Sequence, residues 1–198
     1  MRKVLSIAIM LLMVITVSAG KKKEPVVQAE PLNANGEYER KTIVEVPGAT
    51  AQDLYVRALE ALSDMKGSNG KSSSQIDVQD KDAALVIYKG KIYEGFEYYS
   101  KFAGVGWDAY ADFTIRIKCK DDKAQITMTV STMTFDWSAK QYPSIQTVPI
   151  RELIPYTYKG NYTFKKTAIK YAPAVAPSMD ALMSVICAKL KQGTDDDF

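Results

Sequence analysis

The stretch "FTIRIKCKDDKAQITMTV", from Phe113 to Val130, decides the fold. Apolar and polar residues alternate through both of its halves, which is typical of strands with one buried face. Asp121 and Asp122 between the halves suit a two-residue hairpin turn. With that turn, the apolar residues of the two halves face each other on one side of the sheet. The predicted partners are Cys119 with Ala124, Ile117 with Ile126, Ile115 with Met128, and Phe113 with Val130.

Two amphipathic helices are predicted to cover that side. Thr50 and Asp53 have the spacing of a capping box, and a helix follows to about Met65. Its apolar side consists of Leu54, Ala58, Ala61, Leu62 and Met65. A second helix is predicted over residues 178–192, with Ser178 as its N-cap. Its apolar stripe consists of Met179, Leu182, Met183, Ile186 and Leu190.

Further strands complete a predicted α+β domain. "YERKTIVEV" (38–46) ends in an alternation and stops at a Pro-Gly turn, so it is the predicted first strand. Residues 75–79 and 83–93 form a predicted hairpin. Residues 139–172 contain three prolines and are predicted as loop plus one or two edge strands. The predicted order is β-α-β-β-β-β-α, an antiparallel sheet with the helices packed on one face.

The order of these segments resembles a known family. "DLYVRALEAL" follows "VEVPGATAQ", and a strand pair and the central hairpin come after it. This pattern, over roughly residues 38–137, is similar to domain of unknown function 4468, a family with a TBP-like fold in secreted proteins of gut Gram-negative anaerobes. The resemblance implies a curved antiparallel sheet with helices on one face. It carries no catalytic signature, and DNA binding does not follow from a TBP-like shape.

The N-terminus predicts export. Arg2 and Lys3 precede the apolar block 4–17, and the small residues Ser18, Ala19 and Gly20 follow, as in a signal peptide cleaved after Ala19. Fourteen helical residues span about 21 Å, too little for a hydrocarbon core of about 30 Å, so no permanent membrane span is predicted.

The cleavage site and the segments after it give the predicted location and domain boundaries. A lysine, and not a cysteine, follows Gly20, so lipidation is not expected. The predicted segments are a signal peptide (1–19), a flexible leader (20–37), a single domain (38–192) and an acidic tail (193–198). The predicted location is extracytoplasmic, in the periplasm or secreted.

Composition excludes several classes of function. The full chain has 26 basic and 23 acidic residues, and loss of the signal peptide brings it close to neutrality, which argues against a nucleic-acid partner. The chain has no histidine, which excludes Ser-His-Asp and Cys-His catalysis and histidine-containing zinc sites. Cys119 and Cys187 are either a disulfide or two buried thiols, and the sequence leaves both open.

Two patterns allow a hydrolase as an alternative function. Ser63-x-x-Lys66 and Ser68-x-x-Lys71 both fit a serine nucleophile with a lysine base, but they lie at a helix end and in a Gly/Ser loop. A carboxylate pair for glycoside hydrolysis is the other route. Its candidates are Glu94, Glu97, Asp108 and Asp112.

No cofactor or metal site is predicted. Gly104-x-Gly106-x-x-Ala109 matches a dinucleotide-binding pattern, but a strand follows it where the pyrophosphate would need a helix N-terminus. The aspartates in 77–82 lack the glycine and the distal glutamate of a calcium loop.

An aromatic segment is the main candidate for a binding site. "YKGKIYEGFEYYSKFAGVGWDAYADF" (88–113) has nine aromatic rings, and residues 93–110 show neither strand nor helix period. We therefore predict a glycine-hinged loop whose rings bind a small ligand, glycan, peptide or envelope partner. The predicted ligand-binding residues are Phe96, Tyr98, Tyr99, Phe102 and Trp107. The alternatives are rings that cap the open end of the sheet, and a structural role in an envelope assembly.

Overall fold

The computed structural model of the chain describes residues 31–65, 73–137, 144–153 and 164–192. The predicted signal peptide, most of the leader and the acidic tail lie outside these residues. The strands are β1 (Tyr38–Glu45), β2 (Ser73–Asp80), β3 (Leu85–Ser100), β4 (Val105–Lys120), β5 (Lys123–Trp137) and β6 (Ile145–Pro149). The helices are α1 (Ala51–Ser63), α2 (Ile150–Leu153), α3 (Lys165–Tyr171) and α4 (Val175–Lys191), with a 3₁₀ turn at Ala172–Ala174.

All six strands form one antiparallel sheet, which confirms the predicted α+β class. The order across the sheet is β1-β5-β4-β3-β2, and β6 pairs with β5 beyond the end of β1. Strands β2 to β5 are therefore neighbours both in sequence and in space, whereas β1 crosses over to pair with β5.

The central hairpin has the predicted register. Cys119 pairs with Ala124, Ile117 with Ile126, Ile115 with Met128 and Phe113 with Val130. All eight side chains are buried. Asp122 in the turn has a φ of 66°, a left-handed conformation that aspartate tolerates better than most residues.

Helices α1 and α4 cover the apolar side of the sheet, which we call the inner face. The Thr50 side-chain oxygen accepts a hydrogen bond from the Asp53 N–H (3.1 Å), and Asp53 accepts one from the Thr50 N–H (3.0 Å), so the capping box is confirmed. Leu54, Ala58 and Leu62 of α1 are fully buried. From α4 the core takes Met179, Met183, Ile186 and Leu190.

The last helix begins earlier than predicted, at Val175 and not at Ser178. Pro177 is the third residue of α4, a position whose N–H has no partner within a helix, so proline is tolerated there. Ser178 is therefore no cap, and its hydroxyl donates to Glu94 instead.

Residues 139–172 contain more helix than the sequence predicted. The predicted edge strand is present as β6, but α2 and α3 were not predicted. Tyr156, Tyr158 and Tyr162 lie outside the described residues. Phe164 comes directly before α3 and is buried.

The predicted aromatic loop is wrong, because most of its residues are in strands. β3 continues to Ser100, and β4 starts at Val105 after a short turn. The β3–β4 register shifts at Glu94 and again at Tyr99. Each bulge inserts one residue and reverses the alternation, so no period of two is visible in the sequence.

Among the described residues, one helical run, Lys165–Lys191, is long and apolar enough to cross a membrane by length and composition. A core helix meets the same criterion, and this run contributes Met179, Ile186 and Leu190 to the core. The absence of a permanent membrane span stays a prediction.

Candidate functional site

The side of the sheet that faces away from α1 and α4, which we call the open face, presents the alternate residues of the strands. On β4 these are the polar and aromatic positions between the buried ones, from Asp108 to Lys120. Their partners on β3 include Phe96 opposite Asp108 and Lys91 opposite Asp112. This face groups aromatic, polar and basic side chains in three successive zones along β3 and β4.

Four rings form an aromatic strip at the β3–β4 turn end of the open face: Tyr93, Phe96, Tyr98 and Tyr110. The Phe96 and Tyr98 rings meet edge to face with centroids 4.8 Å apart, and Tyr93 and Tyr110 lie 5.5 Å apart. Phe96 lies over Gly106, where an added Cβ would be 2.6 Å from the end of the ring. The glycine therefore allows the ring to lie flat along the sheet.

The five predicted binding residues lie in different places. Phe96 and Tyr98 are together in the aromatic strip, with Tyr98 48% exposed. Tyr99 is 65% exposed but lies in the second bulge, against Trp137 at 5.6 Å. Phe102 is fully exposed in the turn. Trp107 is only 5% exposed, which places its ring in the core and not on a binding surface.

A polar cleft follows the aromatic strip along the open face. It has a volume of about 480 Å³. Its lining includes Gln75, Lys89, Lys91, Asp112, Thr114 and Ser131. Lys89 pairs with Asp77 beside the cleft (2.9 Å) and Lys91 with Asp112 within it (3.3 Å), so the charge of each lysine in the lining is balanced by a carboxylate.

Asp112 is held in place by hydroxyl groups of the neighbouring strand. Thr132 and Thr134 each donate to its Oδ2 at 2.8 Å, and Lys91 donates to the Thr134 hydroxyl at 3.2 Å. Thr134 is only 2% exposed. Sequence reasoning missed this network, because the β5 bulge at Ser131 sets the register that brings it together.

The four candidate carboxylates do not form a catalytic pair. Asp108 and Asp112 are on the open face. Glu94 and Glu97 turn to the inner face, where Ser178 donates to Glu94 (2.9 Å) and Lys170 pairs with Glu97. Burial raises the pKa of Glu94 to about 7, although the hydrogen bond from Ser178 opposes the shift.

The other catalytic and cofactor candidates gain no support. Lys66, Ser68 and Lys71 lie outside the described residues, and the Ser63 hydroxyl donates to a backbone carbonyl of its own helix. Gly106 and Ala109 of the dinucleotide pattern are within β4. In the part of the chain that the structure describes, no three potential metal ligands cluster.

Both cysteines are free thiols in the structure. Cys119 is buried in the core, and burial raises its pKa to about 11. Cys187 is half-buried on α4. Of the two alternatives that the sequence left open, the structure therefore has separate thiols.

Comparisons with known proteins agree on the fold. Residues 41–133 match a family described as "Domain of unknown function (DUF4468) with TBP-like fold". A TBP-like protein from Parabacteroides distasonis is 11% identical, covers 81% of this chain and 96% of its own, and has a TM-score of 0.58. A DUF4468 family protein from Bacteroides ovatus is 13% identical, covers 86% and 93%, and has a TM-score of 0.55. No curated protein matches the sequence.

Proposed function

We propose that this chain, whose residues 41–133 match the DUF4468 family, is an exported, non-catalytic protein that binds a glycan on the open face of its sheet. The observation that carries this proposal is that the aromatic strip leads directly into the polar cleft. Tyr93 and Tyr110 are the next residues on the open face after Lys91 and Asp112. Rings and hydrogen-bonding groups thus form one continuous surface.

A glycan fits this surface better than the other ligands considered. Sugar rings have apolar faces that pack on aromatic side chains, and hydroxyl groups that need polar partners. The aromatic strip offers the first kind of contact and the cleft offers the second, through Gln75, Thr114 and Asp112. The charge balance in the cleft suits neutral hydroxyl groups. Export rests on the predicted signal peptide at residues 1–19.

The test is binding of the full chain to a panel of soluble neutral glycans, such as xylan and mixed-linkage glucan, by titration calorimetry. Tyr98→Ala should weaken binding about two- to twelvefold, because a ring contact contributes about 0.5–1.5 kcal/mol. Tyr99→Ala is the matched control, since this tyrosine is also exposed but lies against Trp137.

Two results would contradict the proposal. One is the absence of binding to any glycan, and the other is an equal loss in the Tyr98 and Tyr99 variants. Release of shorter oligosaccharides during incubation would instead identify a hydrolase.

A further inference from the structure

The open face ends in a group of basic side chains near the β4–β5 turn. Lys118 and Lys120 of β4 lie beside Lys123 and Gln125 of β5, because Lys120 pairs with Lys123 and Lys118 with Gln125. We call this group, together with Arg116 and Lys41, the cationic end. Lys41 of β1 and Arg116 of β4 lie on either side of Thr127 of β5, because each of them is paired with this threonine. All five basic side chains are exposed.

Glu45 of β1 is opposite Lys123, but the five basic residues of the cationic end form no salt bridges within the described part of the chain. The lysines of the cleft, in contrast, pair with Asp77 and Asp112. Asp121 and Asp122 of the adjacent turn point elsewhere, because they accept hydrogen bonds from the Ala51 and Gly48 N–H groups. With five basic side chains and one opposing carboxylate, this zone keeps a net positive charge that is available to a ligand.

A depression lies within the cationic end. Its volume is about 190 Å³, and its lining is Ile43, Lys118, Lys120, Lys123 and Gln125. Ile43 is 58% exposed, so it offers an apolar surface beside the ammonium groups of the three lysines and the amide of Gln125. This combination matches a single sugar ring that carries an acid group, with the apolar face on Ile43 and the acid near the lysines.

We infer that the open face selects an acidic glycan, whose carboxylate groups bind at the cationic end. The inference rests on the proposed glycan-binding function and names the chemical class of its ligand. β4 rises about 3.4 Å per residue, so residues 106–118 span roughly 40 Å. A single polymer can thus contact the aromatic strip, the cleft and the cationic end.

A glycan explains the arrangement better than a nucleic acid or a membrane does. Bases would need aromatic rings beside the phosphate-binding lysines, whereas the aromatic strip lies at the far end of the face. A flat lipid surface would not enter a depression between side chains. Lysine also suits acid groups spaced along a flexible polymer, since it acts as a point charge with no fixed geometry.

The experiment compares two polymers with the same backbone, polygalacturonate and its fully methyl-esterified form, for binding to the full chain. We expect the acid form to bind at least tenfold tighter at low salt. The variant Lys118→Gln/Lys120→Gln/Lys123→Gln should lose about tenfold or more for the acid form and nothing for the ester. These exposed lysines support no core contact, so the melting temperature should not change.

The matched control changes the same number of charges elsewhere on the surface. Lys165→Gln/Lys166→Gln/Lys191→Gln should bind both polymers as the unmodified chain does, because these three exposed lysines lie on α3 and α4 and not on the strands of the open face. Equal losses in the two triple variants would mean that net charge, and not the cationic end, determines binding, which overturns the inference.

The remaining outcomes separate the inference from the proposed function. Equal affinity for the acid and the ester overturns the inference and leaves glycan binding intact. If the chain binds neither polymer, the inference is overturned, whether or not the chain binds duplex DNA or phosphatidylglycerol vesicles. If the neutral glycan panel also fails to bind, the proposed function is overturned with it.

Discussion

Glu94 is the residue whose ionisation the fold alters most clearly. It is inserted by the first bulge of β3, and its carboxyl group turns toward the start of α4, where Ser178 donates to it. The second oxygen, Oε1, is buried with no hydrogen-bond partner among the described residues. Burial therefore destabilises the charged carboxylate by more than the hydrogen bond from Ser178 stabilises it, and the pKa of Glu94 rises from 4.5 to about 7.

This shift predicts a specific pH dependence of stability. Between pH 4.5 and 7 the folded state keeps a proton that the unfolded state has lost, so the free energy of unfolding falls as pH rises. The loss is complete above pH 7 and amounts to at most about 3 kcal/mol. Glu94→Gln cannot ionise, so its stability relative to the unmodified chain should rise over that pH range.

Urea denaturation across the pH range measures this difference. Glu60→Gln is the control, because Glu60 is an exposed glutamate of α1 and should leave the pH profile unchanged. A Glu94→Gln profile parallel to that of the unmodified chain would show that burial of this carboxyl has no energetic consequence.

Among the elements, the β4–β5 turn has a second role as a support for α1. The Asp121 carboxylate accepts a hydrogen bond from the Ala51 N–H at the start of the helix (2.8 Å), and Asp122 accepts one from the Gly48 N–H (2.7 Å). The backbones also meet, since the Asp122 N–H donates to the Ala49 carbonyl. The turn thus fixes the connection between β1 and α1.

Asp121→Ala should lower the free energy of unfolding by about 1–2 kcal/mol, because it removes a charged acceptor from a helix N-terminus. Asp82→Ala, in the exposed turn between β2 and β3, should change it by less than about 0.5 kcal/mol. Urea denaturation of both variants checks the prediction. Similar small losses in both would contradict the supporting role of the turn.

The elements also show what the sequence could predict. The β4–β5 register followed from two alternating runs and one short turn, all of which are local. The α1 start followed from the spacing of Thr50 and Asp53. The bulges at Glu94 and Tyr99 could not be found in the same way, because an inserted residue removes the period that identifies a strand. The sequence predicts the start of α4 three residues too late, because Pro177 is tolerated in the first turn of the helix and does not mark its boundary.

In the whole molecule, Trp107 joins the segment that matches the family to the C-terminal part of the chain. Its ring lies 5.0 Å from Trp137 and 5.7 Å from Phe164, both beyond residue 133. Phe164 in turn stacks on Phe135 at 4.5 Å. These rings hold the segment before α3 against the sheet.

Trp107→Ala should therefore lower the free energy of unfolding by about 3–5 kcal/mol, the usual cost of emptying a large buried site. This replaces the expectation from the sequence that Trp107 contacts a ligand directly. Phe102→Ala is the control, because this ring is fully exposed. Urea denaturation gives both values, and a loss below about 1 kcal/mol for Trp107→Ala would contradict the placement of its ring.

The candidate site was less predictable than the fold. Phe96 and Tyr98 were identified from aromatic density alone, but the cleft depends on which strands become neighbours. Asp112, Thr132 and Lys91 come from three strands, and only the sheet order brings them together. The cationic end could not be predicted for another reason. The net charge of the sequence is a sum over the whole surface, and it does not show that basic residues are grouped at one end of the open face.

The crossover of β1 has a consequence for how the chain emerges during synthesis. Tyr38 pairs with Val130, about ninety residues further along. β1 and α1 must therefore leave the ribosome and wait for β5 before they acquire a partner, whereas the β2–β5 meander can assemble strand by strand from close neighbours. Any chaperone that protects the nascent chain should thus be needed longest at its first strand.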